Sequence, residues 1–502
     1  MSMEELRVEA GDREYRVRGL NPYASARMKV TVRVVRGEKF HIDSLDLYLA
    51  KARQGFTERS AKALGVSEEE IAGDLLKVIE TCEAERKEAV SALHASFSRT
   101  IPKMTREEER LGMGLLTDPG LMSRVAEDME ALGYIGEGAN KGLAYLVAVS
   151  RKLPEPLSAI VLSRSAAGKS ALLRLIERLT PPEEMLALSS FTPQALYYLP
   201  TSSLKNRLLL IEERHGSAPA DYSIRELQTR RVLRKGVPAK DPASGMMRTN
   251  LVEVEGPVAV IESTTDPEID PENENRCLIL HVDESREQTG RVLASQRREA
   301  TLVGMKRTAR TEEIVRAHFA AQRLLRPLPV VIPYAERMVF PSGRLRYRRD
   351  QAKFLGLVRA VASLHQYQRP QKETEVEGER MRYIEASVED YRAARDLMGA
   401  VLSAASGDLS AIGRRLLEDI RVVASESRGA EAKDFTRRQM REATSWSHDQ
   451  LKRHLGELVE KEYLAEVRGE RGERHRYRLL DGEALGMELP QAESLAARAG
   501  AV

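Results

Sequence analysis

The run Ser158-Ala159-Ile160-Val161-Leu162-Ser163-Arg164-Ser165-Ala166-Ala167-Gly168-Lys169-Ser170, followed directly by Ala171-Leu172-Leu173-Arg174-Leu175-Ile176-Glu177-Arg178-Leu179, limits what this chain can fold into more than any other stretch. An apolar segment of strand length, a loop of small residues ending Gly-Lys-Ser and apolar positions at helical spacing predict a strand, a phosphate-binding loop and a helix. The residue types fit the chemistry. Small residues let backbone N–H groups turn inward around a phosphate at a helix N-terminus, Lys169 reaches the outer phosphates, and the Ser170 hydroxyl can ligate Mg²⁺. Ser163, Arg164, Ser165, Ala166, Ala167, Gly168, Lys169 and Ser170 are therefore the candidate ATP-binding set. Ser163 stands where the full motif has its first glycine, so the competing reading is a loop-to-helix junction with a serine near the cap.

A second motif follows at Asn206-Arg207-Leu208-Leu209-Leu210-Ile211-Glu212-Glu213. An apolar strand ending in paired carboxylates is what such a site needs beside its first strand, one acid for the metal and one for the attacking water. Glu212 is assigned to Mg²⁺ and Glu213 to the water. Aspartate is the usual metal residue, so the division of labour between the two glutamates stays open.

The chain has 502 residues, enough for about three domains. Its 79 basic and 76 acidic residues nearly cancel to +3, so any nucleic-acid surface must be a local patch rather than a global field. Charged residues make up 31% and aromatics 5%, the balance of helix-rich, salt-bridged surfaces. Cys82 and Cys277 lie too far apart in sequence for a zinc ribbon, and two cysteines suit a reducing cytosol. The acidic amino terminus has no apolar core, and no apolar run reaches membrane-spanning length, which predicts a soluble, cytoplasmic protein without membrane partners.

Six segments are expected: a β-containing and helical module over 1–100, a helical adaptor over 101–153, an α/β ATPase core over 154–330, a small helical lid over 331–405, a winged helix over 406–482 and a tail over 483–502. Val8 to Val35 alternates like strands with one wet face, and Ile42 to Ser96 reads as helical, Leu45, Leu47 and Leu49 included. Thr105-Arg106-Glu107-Glu108 opens a helix with a capping pattern. Within the core, Arg231 to Val237 and Met247 to Val254 are the arms of a long β-hairpin around Lys240-Asp241-Pro242-Ala243-Ser244-Gly245. Arg234, Lys235, Lys240 and Arg248 are its candidate DNA contacts, against the alternative of surface decoration.

The apolar strand Pro257 to Thr265 ends in hydroxyls, so Thr264 or Thr265 would sense the terminal phosphate. Arg276, before the strand Cys277 to Val282, is a candidate finger for a neighbouring subunit's ATP, the plain alternative being a surface arginine. Arg348 or Arg349, at the start of the helix Gln351 to Tyr367, is expected to touch phosphate. The charged stretch Gln371 to Arg380 reads as a solvated loop. Three helices and a hairpin between Ile412 and Leu479 predict a winged helix, with Lys452, Arg453, Arg471, Arg474 and Arg476 placed for phosphates. Acidic neighbours nearly balance them, and such modules also dock proteins.

On Phe40-His41-Ile42-Asp43, Gly133-Tyr134-Ile135-Gly136-Glu137, Ser165 to Ser170, Asn275-Arg276-Cys277-Leu278, Val282-Asp283-Glu284-Ser285-Arg286-Glu287-Gln288-Thr289 and Leu364-His365-Gln366-Tyr367-Gln368-Arg369, residues 40–369 resemble the helicase-like carboxyl half of mobile-element and phage DNA primases. That half is an AAA+ ATPase related to superfamily 3 and minichromosome-maintenance helicases. The resemblance implies a P-loop AAA+ core, ATP with Mg²⁺, and a ring, hexameric in such families, that moves on single-stranded or forked DNA during replication of a mobile element. It also implies that the hairpin is similar to one projecting into the DNA channel. The chain carries no recognisable synthesis domain, so a primase would be a separate partner. The second reading is an ATP-driven loader or switch that remodels a protein on DNA.

Overall fold

The computed structural model describes residues 5–21, 27–97, 101–165, 167–189, 195–214, 220–240, 247–266, 269–302, 304, 308–338, 340, 347–405, 411–426, 434–444, 446–461, 463–467 and 476–480. Contacts divide the chain into two units. One comprises Met1–Thr100, Gln194–Ser203 and Val232–Glu255, and the other holds the rest.

In the first unit, β1 (Leu6–Ala10), β2 (Arg13–Arg18), β3 (Lys29–Arg36) and β4 (Lys39–Asp46) form an antiparallel meander in that order. Period-two alternation buries Val30, Val32 and Val34 of β3. Helices α1 (Ala50–Leu64) and α2 (Glu68–Phe97) add Phe56, Leu64, Ile71 and Leu75 to that core. Asp74 anchors α2 to the sheet by accepting hydrogen bonds from Tyr15 Oη (2.9 Å) and Arg13 Nε (2.7 Å). The helical reading from Ile42 is corrected: Ile42 and Leu45 lie in β4, and Leu47 is buried just beyond it. The spacing of Leu45, Leu47 and Leu49 is two, a strand period, and the helix begins only at Ala50.

The second unit opens with α3 (Arg106–Leu116), α4 (Leu121–Ala131) and α5 (Gly138–Ser150). Thr105 caps α3 as expected, with its side chain accepting from Glu108 N and the Glu108 carboxylate accepting from Thr105 N. Then come β5 (Ser158–Leu162), α6 (Lys169–Leu179), β6 (Met185–Leu188), β7 (Arg207–Ile211) and α7 (Asp221–Arg230). The hairpin arms β8 (Val232–Lys240) and β9 (Met247–Glu255), which belong to the first unit, pair antiparallel, with Val232 opposite Glu255 and Lys240 opposite Met247. The chain returns through β10 (Val258–Thr264), α8 (Pro271–Glu274), β11 (Leu278–His281), α9 (Arg286–Glu299) and α10 (Thr308–Leu324).

Five of these strands make one parallel sheet in the order β11-β5-β10-β7-β6, flanked by helices. The motif order predicts the glutamate-bearing strand beside the first strand. In the structure β10 lies between them, pairing with β5 on one side and β7 on the other. Ala159, Val161, Leu208, Leu210, Ala259, Ile261, Leu278 and Leu280 join the core that α5 and α6 close with Leu146, Val147, Leu172 and Ile176. At the end of α5, the fully buried Arg151 and the buried Lys152 both pair with Glu184, which is 1% exposed.

Beyond β12 (Val330–Val331), α11 (Tyr347–Leu364) contributes Phe354, Leu357 and Val358 to the same core. The stretch read as a solvated loop is a second correction: β13 (Lys372–Val376) and β14 (Glu379–Glu385) form an antiparallel hairpin. Glu377 (φ 51°) and Gly378 (φ 86°) supply the two left-handed positions of a tight hairpin turn, and Arg382 pairs with Glu373 across the ladder. Helix α12 (Val388–Ala405) follows. The carboxyl-terminal elements are α13 (Ala411–Glu426), β15 (Asp434–Thr436), α14 (Arg437–Ala443), α15 (His448–Glu460), β16 (Leu464–Val467) and β17 (Arg476–Leu479). Their strands form an antiparallel sheet in the order β15-β17-β16, over a small core of Leu416, Ile420, Met440, Leu455 and Tyr477. Among the described residues no helix is long and apolar enough to cross a membrane.

Candidate nucleotide site

Because β5, β10 and β7 run parallel, the segments that leave them emerge at one edge of the sheet. Those segments carry Ser163 to Ser170, Thr264, and Glu212 with Glu213. Backbone hydrogen bonds tie them together: Ser163 N donates to Thr264 O (3.4 Å), and Arg214 N to Ser263 O (2.9 Å). Ser263 Oγ also donates to Glu212 O. Thr264 is buried, and its hydroxyl accepts from Asp266 N at 3.1 Å. Glu212 and Glu213 are exposed, so both carboxylates are open to a ligand.

Gly168 caps α6 with φ 115°, a backbone shape that a side chain would strain and that turns the chain abruptly into the helix. Lys169, 8% exposed, folds its ammonium onto the loop and donates to Ser163 O (3.0 Å) and Arg164 O (2.8 Å). Arg164 is exposed, its N–H held by Glu284 Oε1 (2.7 Å). Ser165 and Ser170 are exposed and Ala167 half-buried, whereas Ala166 lies outside the described residues. The left-handed glycine, the helix N-terminus, the lysine and the nearby hydroxyl and carboxylate oxygens suit a phosphate chain with Mg²⁺.

Beside the loop lies a pocket of about 520 Å³, lined by Tyr134, Ile135, Ala171, Asp283, Val292 and Leu293 among others. Mixed apolar and polar walls next to a phosphate cradle suit the nucleoside end of the same ligand. The stretches Gly133 to Glu137 and Val282 to Thr289 were conspicuous in the sequence without an assigned role, and this pocket is where they meet. Asn140 ties the first stretch to the end of β11, donating to Glu137 Oε2 (2.7 Å) and His281 O (2.8 Å). Burial pushes the Glu137 carboxyl above its usual range.

Arg276 is elsewhere. Leu278 pairs with Ala159 and His281 with Leu162, so Arg276 precedes β11 at the edge opposite Lys169. It donates to Glu272 O (2.6 Å) and to Thr229 Oγ1 (3.4 Å). Arg349 is exposed in the first turn of α11, and Lys353, one turn later, donates to Cys277 O (3.2 Å). The start of α11 therefore lies at the Arg276 edge as well, and Arg349 is not brought to Lys169.

On the hairpin, Arg234 pairs with Glu253 (2.7 Å) and the Lys235 ammonium sits 4.8 Å from the Tyr197 ring centroid. Lys240 and Arg248 occupy ladder positions opposite Met247 and Ala239. The tip, 241–246, lies outside the described residues. In the carboxyl-terminal module Lys452, Arg453 and Arg476 are exposed, while Arg471 and Arg474 fall outside the described residues.

Sequence reasoning missed the group next to the paired glutamates. Arg214 is buried, and its guanidinium bridges Glu262 Oε1 (3.2 Å) and Asp221 Oδ2 (2.5 Å). Glu262 is 2% exposed in the middle of the sheet, and only its place inside an apolar run hinted at this. Burial pushes its carboxyl up to about 7, Arg214 pulling it down and Asp221 adding to the rise. A raised acid stabilises the fold below the unfolded value of 4.5, and that contribution is lost as pH rises through about 7. Denaturant unfolding should therefore show stability declining between these pH values, and Glu262→Gln should flatten the decline. An unchanged slope in the variant would assign the decline to other groups.

The sequence matches no family model, and no curated protein matches it.

Proposed function

We propose that this protein is an ATPase of the AAA+ type that works as a ring on DNA and converts ATP hydrolysis into translocation or unwinding in the replication of a mobile element. The observation that carries the reading is the strand order: one edge gathers the Gly168-Lys169-Ser170 loop, Thr264 and the Glu212–Glu213 pair, with Thr264 between the other two. In this reading Lys169 leaves the loop carbonyls for the β- and γ-phosphates, and Ser170 and Glu212 hold Mg²⁺, which when bound neutralises charge on the phosphate oxygens. Glu213 accepts a hydrogen bond from the attacking water and orients it. Thr264 donates to the terminal phosphate. The position of Arg276 and Arg349 at the far edge supports a role towards a neighbouring subunit's nucleotide. The helix, helix, helix and hairpin order near the carboxyl terminus supports a winged helix.

The test is ATPase activity with and without single-stranded and duplex DNA, on protein whose assembly mass is measured in the same buffer. Stimulation by DNA of an oligomer is the expected result. If the hairpin lies along a DNA backbone, Lys240→Ala should lower the slope of log affinity against log salt by about 0.7–0.9, one phosphate's worth, and reduce stimulated turnover while leaving basal turnover intact. A variant matching wild type in both would make the hairpin decoration. One observation favours the second reading, a loader or switch: in this module Arg438 is paired with Glu442 and Arg478 with Asp434, so two of its cations already have carboxylate partners. ATPase activity indifferent to DNA, and raised only by a protein partner, would decide for it.

A further inference from the structure

A chain of polar contacts connects the two edges on which the proposed reaction depends. Arg214 directly follows Glu213, and it reaches Asp221, the first residue of α7. The same Asp221 oxygen accepts from Asn273 Nδ2 at 2.7 Å. Asn273 lies in α8 and is buried, and its own carbonyl accepts the N–H of Arg276 (3.0 Å) and of Cys277 (3.1 Å). Helix α7 also touches the guanidinium of Arg276 through Thr229. A helix of four residues has far too few hydrogen bonds to hold its own place, so α8 sits where its partners put it.

We propose that Arg214, Asp221 and Asn273 form a positioning relay, through which the state of a subunit's own Glu212–Glu213 segment sets the placement of the Arg276 that it offers to its neighbour. The proposal rests on the reading of the chain as a ring ATPase with Arg276 acting across the subunit boundary. Each link is short and directional. Asp221 has Arg214 and Asn273 on one oxygen, so moving Arg214 changes the hold on α8 with no need for a shift in the sheet. Asn273 is the link to cut, because its removal strands no charge, whereas loss of Arg214 leaves Glu262 and Asp221 without their cation.

The experiment mixes full-length subunits. Lys169→Ala protein, whose own sites are silent, is combined in equal amounts with wild type, and activity per wild-type site is compared for the single variant, for Lys169→Ala with Asn273→Ala, and for Lys169→Ala with Arg276→Ala. In a random mixture about half of the wild-type sites receive their arginine from a variant subunit, so loss of that arginine's action should lower activity to about half. The relay predicts a loss with Asn273→Ala approaching that seen with Arg276→Ala, since a displacement of about 1 Å in a catalytic group can cost about 100-fold. A defect confined to the variant subunit's own nucleotide site cannot produce it, because the sites of the Lys169→Ala subunit are already silent. Should Asn273→Ala fail to assemble, Asn273→Ser takes its place. Extra loss with Arg276→Ala but none at Asn273 overturns the relay and leaves the ring reading intact. No extra loss with either overturns the relay together with the finger, and wild type without ATPase activity overturns the proposed function itself.

Discussion

Lys169→Ala protein is expected to show no ATP turnover above background and no binding of a fluorescent ATP analogue. Two effects combine. The alanine removes the cation that, on the proposed reading, meets the β- and γ-phosphates, and it also frees Ser163 O and Arg164 O, which the ammonium holds at 3.0 and 2.8 Å. The loop thus loses both its charge and its brace. Glu213→Gln should behave differently: binding survives, while turnover falls by about 100- to 10,000-fold, because the amide keeps the shape but cannot take up the water's proton. Bound nucleotide should then persist through a desalting column. Wild-type turnover in both variants would end the assignment of this edge as a hydrolytic site.

The largest effect on stability is expected at Glu184. Burial by itself would push this carboxyl up, yet Arg151 and Lys152 on either side overcome that and hold it at about 2. Lys152 Nζ lies 2.6 Å from Glu184 Oε1, and Arg151 also donates to Gln322 Oε1 at 2.7 Å. Glu184→Gln leaves two buried cations without their anion, a loss of about 3–5 kcal/mol. By contrast, the exposed Arg234–Glu253 pair, solvated and screened, should contribute little. The sign with pH follows from the lowered value: the contribution of Glu184 is complete above 4.5 and disappears as pH falls towards about 2. Urea unfolding of wild type and variant at neutral and acid pH measures both effects. A Glu184→Gln midpoint close to wild type at neutral pH would mean that the triad contributes little.

Sequence alone resolved what local pattern can encode. The apolar run of β5, the helical spacing after Lys169 and the cap at Thr105 each depend on residues a few positions apart, and each element formed where expected. β4 was lost because its exposed Phe40 and Ile42 blur the alternation, leaving three leucines that sit next to a true helix. The β13–β14 hairpin was lost because both strands are largely exposed and charged, so no apolar period marks them. Strand order has no local signature at all. Nor has Arg214, whose partner Glu262 lies 48 positions away and looks in sequence like a polar lapse in an apolar strand.

The insertion of β10 between β5 and β7 also fixes a length. Neighbouring strands stand about 4.8 Å apart, so the chain exits of β5 and β7 are held about 10 Å from each other. At the single spacing there would be room for one hydrogen bond and little else. A metal ion with bonds of about 2.1 Å, a phosphoryl group and a water about 3–3.5 Å from it need the double width when set in a row. That breadth comes from the backbone ladder and is indifferent to the side chains on either bank. Serine at position 163 and glutamate at position 212 can therefore depart from the usual residues without narrowing the space in which the proposed reaction would occur.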